Sequence, residues 1–446
     1  MHGSEPQSKG LRHGADPVRD LSEPIVISEL EALSSSGFSR FDPPVIAGDV
    51  PLRFGLEPES VDGLAQVMQV LSAHSEPVLV TGAGTRLDMI KAVQDTQIRL
   101  SCRAISGIDE CDAADGVMRA HAGTPLEDLV QVADEAGWTL PMEASALGAT
   151  LGGTLATANS GPRRLGFGAV RDNVLGLETT LATGERTRCG ARVVKNVTGY
   201  DMAKLYVGSF GTLAIIESAW LRLHPKVESV ECMALSLDGG EASFRIALEA
   251  SRRTSARAVV LLPETLATRV SGLGAPPKAG ACWRLLVECA GDETVTRYDS
   301  EWLADQATAQ SLSSQALDSL KALYRPASPG GFRVRLHLLP SGLEEACRLL
   351  DEAGFEVLAY PEPTTVYAFH DPTASRVTKD LPNPLALIER VAARVRADWV
   401  IESFPAPCPD ELAGFNTQDP QNLMGELKMQ FDPLSLLNRG CFVKSF

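Results

Sequence analysis

The sequence predicts an α+β protein of more than one domain. Three observations lead there. A chain of 446 residues is too long for one ordinary core, at roughly 100–200 residues per domain. From Ile25 to Leu223 short apolar runs alternate with helical patterns. Past Pro225 the texture changes, with denser charge and fewer Gly-rich turns. These shifts divide the chain into a tail over 1–25, a first domain over 26–225, a second over 226–403 and a final stretch over 404–446.

The elements follow in order. Glu59–Ala73 reads as an amphipathic helix, because Val61, Leu64, Val67, Met68 and Leu71 recur three or four apart. Pro77–Val80 is a short strand that runs into the turn Thr81–Thr85. Pro125–Ala136 is a second helix, with Thr124 as N-cap, Pro125 at the first helical position and Gly137 just past its end. Val174–Leu181 and Ala214–Leu223 read as strands. The second domain supplies strands at Ala258–Leu262, Trp283–Glu288, Phe332–Leu338 and Thr365–His370. Helices are expected at Thr294–Ala309, Leu343–Ala353 and Pro384–Arg396. That order predicts a compact ferredoxin-like sheet with helices on one face. Gly272–Gly280 and Arg325–Gly331 are expected loops, and Pro405, Pro407 and Pro409 mark a linker. Leu423–Phe431 closes the chain as a helix broken at Asp432-Pro433, and no internal repeat is detected.

Composition excludes several classes. Hydrophobic residues at 44% and charged residues at 22% are ordinary for a globular protein, so wholesale disorder is excluded. Forty-one basic against 57 acidic residues give a net charge of −16, the wrong sign for coating nucleic-acid phosphates. No window holds the ~18 apolar residues of a membrane span, so no direct membrane insertion is expected. Residues 1–25 contain no apolar signal core, and the nine cysteines are scattered. No two cysteines are separated by only two residues, which removes iron–sulfur and zinc-ribbon spacing and fits reduced thiols in a cytoplasm.

The chemistry lies in four small-residue segments. Thr81-Gly82-Ala83-Gly84-Thr85 follows a strand, but Leu87 stands where a dinucleotide fingerprint needs its third glycine. Two readings remain for it, a tight turn or a nest of backbone N–H groups around an anion. Gly148–Gly161 holds four glycines, three threonines and a serine. It reads either as a close helix contact or as a surface cradling a planar or phosphorylated ligand. The third segment, Gly161–Gly176, carries Arg163 and Arg164; the fourth, Lys195–Ile216, carries Lys195 and Phe210-Gly211-Thr212. Each of these cations is either solvated or part of a site.

In this order the segments resemble the FAD-binding domain of the vanillyl-alcohol oxidase and p-cresol methylhydroxylase superfamily, and within it the glycolate oxidase FAD-binding subunit. Gly84–Asp88, Ser160–Arg164, Val194–Asp201, Phe431-Asp432-Pro433 and Leu437–Gly440 carry the resemblance, which spans 45–225 and, less closely, 423–446. It implies a two-subdomain FAD-binding domain of the p-cresol methylhydroxylase type, with a ferredoxin-like α+β cap domain inserted over 226–403 before the chain returns to the FAD-binding domain over 404–446. Thr81, Gly82, Ala83, Gly84, Thr85 and Arg86 would wrap the pyrophosphate. Pro141, Gly148, Ala149 and Thr150 would follow the ribityl and phosphate region. Thr157, Ala158, Asn159 and Ser160 would approach the flavin ring. Phe210, Gly211, Thr212, Leu213, Ala214, Ile215 and Ile216 would line the adenosine end. Val80, Gly152, Gly153 and Gly161 complete the expected cofactor set.

Two departures from the family pattern matter. The first glycine loop lacks the histidine that tethers flavin in many relatives, so FAD is expected to be non-covalent. The metal-binding His segment of larger 2-hydroxy acid dehydrogenases is missing, so no metal is expected. His337 and His370, on predicted strands, are either neighbours or ordinary half-buried histidines. The implied function is the FAD-binding subunit of a glycolate or D-lactate oxidase or dehydrogenase complex. It would oxidise a 2-hydroxy acid beside a larger flavoprotein subunit and pass electrons to an iron–sulfur subunit. The alternatives are a self-sufficient FAD dehydrogenase of another alcohol and a non-catalytic assembly subunit. Arg163, Arg164 and Lys195 are candidates to polarise the flavin or to meet an acidic group, and Arg333 and Arg335 to hold a carboxylate. No catalytic residue is assigned.

Overall fold

A computed structural model describes residues 28–30, 32–33, 38–41, 52, 54–89, 96–144, 146–192, 200–274, 282–324, 331–372, 384–403, 415–416, 423–439 and 441. The tail 1–25, Lys195, most of both expected loops and the proline linker lie outside these residues.

The first sheet contains β1 (Phe38–Phe41), β2 (Phe54–Pro58), β3 (Val78–Thr81) and β4 (Ile98–Ser101) in the order β1-β2-β4-β3. Its last three strands are parallel, which requires a crossover helix between β2 and β3. That helix is α1 (Val61–Ala73), and Ser60 Oγ caps it by accepting from the Gly63 N–H at 3.1 Å. The expected stripe holds, with Leu64, Val67, Met68 and Leu71 wholly buried on the sheet.

The second sheet is antiparallel, in the order β5-β6-β10-β8-β9, from β5 (Ile108–Asp112), β6 (Val117–His121), β8 (Val174–Thr180), β9 (Arg186–Gly190) and β10 (Ile215–Arg222). A two-residue strand β7 (Trp138–Thr139) pairs with β11 (His224–Pro225). Helix α2 (Leu126–Glu135) begins one residue later than expected, with Pro125 itself at the cap position. Thr124 does not cap it: its hydroxyl donates to the Gly107 carbonyl at 3.0 Å and accepts from the Gly107 N–H. Three short helices complete this part: α3 (Leu151–Thr157), α4 (Arg164–Phe167) and α5 (Ala203–Tyr206).

Beyond residue 228 lies a nine-stranded antiparallel sheet, ordered β15-β12-β14-β13-β17-β18-β16-β19-β20. Its first half runs β12 (Ser229–Leu237), α6 (Glu241–Ala250), β13 (Ala256–Pro263), α7 (Glu264–Ala267), β14 (Trp283–Gly291), α8 (Glu293–Gln306), β15 (Ala309–Leu312) and α9 (Gln315–Ser319). The second half runs β16 (Phe332–His337), α10 (Leu343–Glu352), β17 (Glu356–Tyr360), β18 (Thr365–His370), α11 (Pro384–Val395), β19 (Asp398–Ser403) and β20 (Phe415–Asn416). Each half is a βαββαβ unit with its fourth strand beside its first and its third beside its second. The two second strands, β13 and β17, meet at Leu261 and Ala359 and fuse the units edge to edge. One ferredoxin-like unit was expected and two are present, so the sequence hides a structural repeat.

The four long helices pack on one face, as expected. The short α7 and α9 cover part of the other, burying Leu266, Ala267, Ala316 and Leu317. β20 pairs with β19, so residues 415–416 extend this sheet and the return to the first part begins after them. The expected helix Thr294–Ala309 ends at Gln306, and Ala309 starts an edge strand.

The return is made by α12 (Leu423–Phe431) and the segment after it. Its buried residue is Lys428, whose ammonium donates to Asp432 Oδ2 at 2.6 Å and to the Thr212 and Leu437 carbonyls at 2.8 Å. The wholly buried Asp432 carboxylate also accepts from the Leu436 and Leu437 N–H groups at 2.9 and 2.7 Å. This pair docks the segment against the edge of β3, where the Val78 N–H donates to the Leu436 carbonyl at 2.8 Å. Removing one partner strands the other charge in the core. Asp432→Ala is expected to lower stability by about 3–5 kcal/mol, read from the denaturant midpoint; an unchanged midpoint would show that the pair is not holding the segment.

Candidate functional site

Two neighbouring spaces lie on the small-residue segments. The first has about 840 Å³ of empty volume, part of it open to solvent. One wall is the loop after β3. Gly84 has φ +76°, and an added Cβ there would lie 3.0 Å from Arg99 Nη2. At Gly82 a Cβ would come within 2.0 Å of Thr150 Oγ1, so glycine is what lets the loop approach the start of α3. Among the described residues the N–H groups of Gly82, Ala83 and Gly84 have no partner. Arg99 Nε donates to Thr81 Oγ1 at 3.0 Å and steadies the loop's first residue.

Most of the expected cofactor set lines this space: Val80 to Arg86, Ala149, Thr150, Gly152, Gly153, Thr157, Phe210, Gly211, Ala214, Ile215 and Ile216. Ala158, Asn159 and Ser160 line the second space. Pro141, Gly148, Gly161, Thr212 and Leu213 line neither. The Gly148 N–H donates to Glu127 Oε1 at 2.6 Å, and Gly161 packs so tightly on Glu143 that a Cβ would lie 2.4 Å from its Oε2. Thr212 Oγ1 donates to the Ser209 carbonyl at 2.7 Å, and Leu213 belongs to the core of the second sheet. Sequence reasoning missed Leu87, Cys102, Ala122, Thr154, Ala156 and Asn438 in the first wall. Asn438 lies in the terminal motif already noticed in the sequence, but only the fold shows that this motif reaches the cavity.

The second space, about 1310 Å³ including open solvent, shares Thr157 and Phe210 with the first. It opens between the first part of the chain and the nine-stranded sheet. Asn159, Ser160, Arg164, Arg171 and Cys441 face Arg335, Tyr367, Val400, Ile401 and Glu402 across it. Arg333 and Arg335 are two apart on β16 and so share a face. In β19 the register against β16 skips residue 402 between Ile401 and Ser403. That bulge leaves Glu402 unpaired in the ladder, and its carboxylate meets Arg333 Nε at 3.4 Å and Arg335 Nε more closely. Arg86 reaches the same cluster and donates from Nη1 to Asn159 Oδ1 at 2.5 Å.

The chamber is electropositive. Burial would raise the Glu402 carboxyl, but Arg335, Arg333 and Arg86 overcome it and hold Glu402 below the usual carboxylate range. Arg86 is lowered by burial and then by Arg333. Tyr367 is pushed up to about 12, by burial first and Glu402 second, and stays protonated. His337 contacts Arg335 and shares a hydrogen bond with Thr365 Oγ1 at 3.1 Å. Burial, Arg335 and Arg164 press it down to about 4, so it is neutral at pH 7.

The fold decides two readings that the sequence leaves open. Arg163 is not a free cation at the chamber: it donates from Nε and Nη2 to the wholly buried Glu288, from Nη1 to Glu143 at 3.2 Å and to Asp318 at 2.8 Å. It is an interdomain clamp. His337 and His370 are not neighbours, because β16 and β18 pair Phe332 with His370 and His337 with Thr365. They stand at opposite ends of one strand pair, roughly 17 Å apart at 3.4 Å per residue. His370 stacks on Phe332 instead, with centroids 4.8 Å apart. Among the described residues no group of three or more His, Cys, Asp or Glu is placed to hold a metal ion. Among them, too, no helix is long and apolar enough to cross a membrane.

Residues 53–190 match the family model described as the FAD binding domain. That stretch is similar to FAD-binding domains, and the chain has the fold of p-cresol methylhydroxylase. A solved structure of p-cresol methylhydroxylase with substrate bound superposes with TM-score 0.67 at 14% identity, covering 93% of this chain and 95% of that one. In sequence, the chain is 26% identical to the D-lactate dehydrogenase of Archaeoglobus fulgidus over 93% of its own length and 97% of that protein's. It is 33% identical to glycolate oxidase subunit GlcE of Escherichia coli over 41% of its length, and the match spans about half (52%) of that subunit.

A titration follows from His337. Its folded value lies below its ordinary 6.5, so between about pH 4 and 6.5 the unfolded chain binds the extra proton. Stability is therefore expected to fall on acidification through that window, and His337→Gln should flatten part of the fall. An identical pH–stability curve for the variant would remove His337 as a contributor.

Proposed function

We propose that the loop cavity and the chamber together hold one FAD non-covalently, and that the chamber receives a 2-hydroxy acid for oxidation to the 2-oxo acid. The fit to a dinucleotide rests on the unpartnered N–H groups of Gly82, Ala83 and Gly84, which suit a diphosphate without a lysine. It rests equally on the two spaces lying side by side, with Thr157 and Phe210 in the walls of both, as an extended ligand requires. When bound, FAD supplies the hydride acceptor.

The substrate class rests on one observation, the arginines gathered at this junction: Arg335, Arg333 and Arg86 act on Glu402, and Arg164 lines the same chamber. Such a chamber favours a carboxylate. Arg164 and Arg335 are on its wall and hold that group. Glu402, ionised and also on the wall, takes the hydroxyl proton. A substrate carboxylate that shares Arg335 loosens its hold on Glu402 and raises the proton affinity of that base. The relatives named D-lactate dehydrogenase and glycolate oxidase subunit support this class of substrate. The subunit name also supports a complex, in which a larger flavoprotein and an iron–sulfur subunit carry electrons onward.

Anaerobic mixing of the FAD-loaded chain with glycolate or D-lactate tests the reading. Bleaching is expected, slow for the isolated chain and faster when the two partner subunits are co-expressed. Flavin that stays oxidised with both acids in both preparations would leave the assembly-subunit alternative. The lack of histidine in Thr81–Arg86 predicts that acid precipitation releases FAD to the supernatant; yellow colour kept by the pellet would contradict it. Gly84→Val forces a β-branched residue to φ +76° at the cavity wall and is expected to yield soluble protein without flavin. Unchanged flavin content would remove this loop from the site.

A further inference from the structure

The terminal segment does more than close the fold. Asn438 lines the loop cavity and is 3% exposed. Its Oδ1 accepts from the Val80 N–H at 2.6 Å, and its Nδ2 donates to the Phe210 carbonyl at 2.6 Å. Its own N–H donates to the Val78 carbonyl at 3.1 Å. One carboxamide thus joins the strand that delivers the glycine loop to the turn that forms the opposite wall. The joint is conformationally special on both sides: Asn438 has φ +45°, Phe210 +54° and Gly211 +68°. Asparagine tolerates this region better than most side chains. A Cβ on Gly211 would lie 3.0 Å from Asn438 Nδ2. The segment is fixed from behind, since Lys428 ties the Leu437 carbonyl to Thr212, two residues beyond Phe210.

We propose that Asn438 is a positioning residue for the cofactor: it sets the separation of the Val80–Gly84 and Phe210–Gly211 walls, so that FAD affinity and docking of the terminal segment are thermodynamically linked. This rests on the reading that FAD occupies the loop cavity. A carboxamide is the group for the task because it accepts from an N–H and donates to a carbonyl at once. Aspartate keeps the acceptor but faces the Phe210 carbonyl without a donor, whereas glycine removes both bonds and suits the positive φ. Linkage is reciprocal, so a cofactor that needs the walls in register must in turn hold the segment down.

The test measures FAD binding to the apo chain by quenching of flavin fluorescence, for wild type, Asn438→Gly and Asn438→Asp. Both variants are expected to bind FAD about tenfold more weakly or worse, the loss of one to two buried hydrogen bonds. Hydrogen exchange on the wild-type chain supplies the readout that a merely structural role would not move. FAD should slow exchange at Leu436, Leu437 and Asn438 and leave the remote α10 unaffected. Affinities within twofold of wild type in folded variants, or segment amides indifferent to FAD, would overturn the proposal. A wild-type chain that binds no FAD would instead defeat the reading on which it rests, so the two failures are distinguishable.

Discussion

The site depends on one contact, the grip of Arg163 on Glu288. Neither sheet system contains the chamber alone; it exists only where the nine-stranded sheet meets the first part of the chain. Arg163 stands at the start of α4, takes Glu143 from its own side, and crosses to Glu288 on β14 and Asp318 on α9. Arg257 on β13 adds a second cation to Glu288 at 2.6 Å. Burial would raise Glu288, but Arg163 and Arg257 reverse this and keep it ionised. With the junction fixed, Asn159 and Ser160 face Arg335 and Tyr367 across a gap of set width. The next residue after the clamp, Arg164, enters the chamber itself.

The two ends of the site are built by different physics. The loop cavity is made from missing side chains: glycine lets Gly82 close on Thr150 and, among the described residues, leaves three N–H donors without partners. The chamber is made from gathered charge: Arg335, Arg333 and Arg86 act on the bulged Glu402, while burial first and then Arg335 and Arg164 hold His337 near 4. A diphosphate suits the first and a carboxylate the second. An acidic protein of net charge −16 thus concentrates positive potential where two anions are to be held.

Much of the first end was legible in the sequence, because small residues cluster in sequence as well as in space. The Thr365–His370 strand and the Leu423–Phe431 helix were also legible, one bounded by turn residues and the other broken by Asp432-Pro433. The strands Glu356–Tyr360 and Asp398–Ser403 were not. Glu356–Tyr360 has apolar contacts on both faces, where alternation is lost, whereas Asp398–Ser403 alternates in burial but is short and begins and ends on polar residues. The repeat of βαββαβ units was hidden because it is a repeat of topology, with no shared motif to mark it. Glu402 was invisible for a sharper reason: its role comes from one skipped position in the register of β19 against β16, which no periodicity encodes. For Arg163 the choice between polarising the flavin and meeting an acidic group stayed open, because two of its partners, Glu288 and Asp318, are more than a hundred residues away.

The central claim is that the chamber at this junction binds a carboxylate beside FAD. Titrating the FAD-loaded chain with oxalate, an unreactive anion of the right chemistry, while following flavin absorption tests it most directly. A saturable spectral change that weakens with added salt, and that needs at least about tenfold more oxalate in Arg164→Gln, is the predicted result. An unperturbed flavin spectrum, or equal affinity in the variant, would contradict the account.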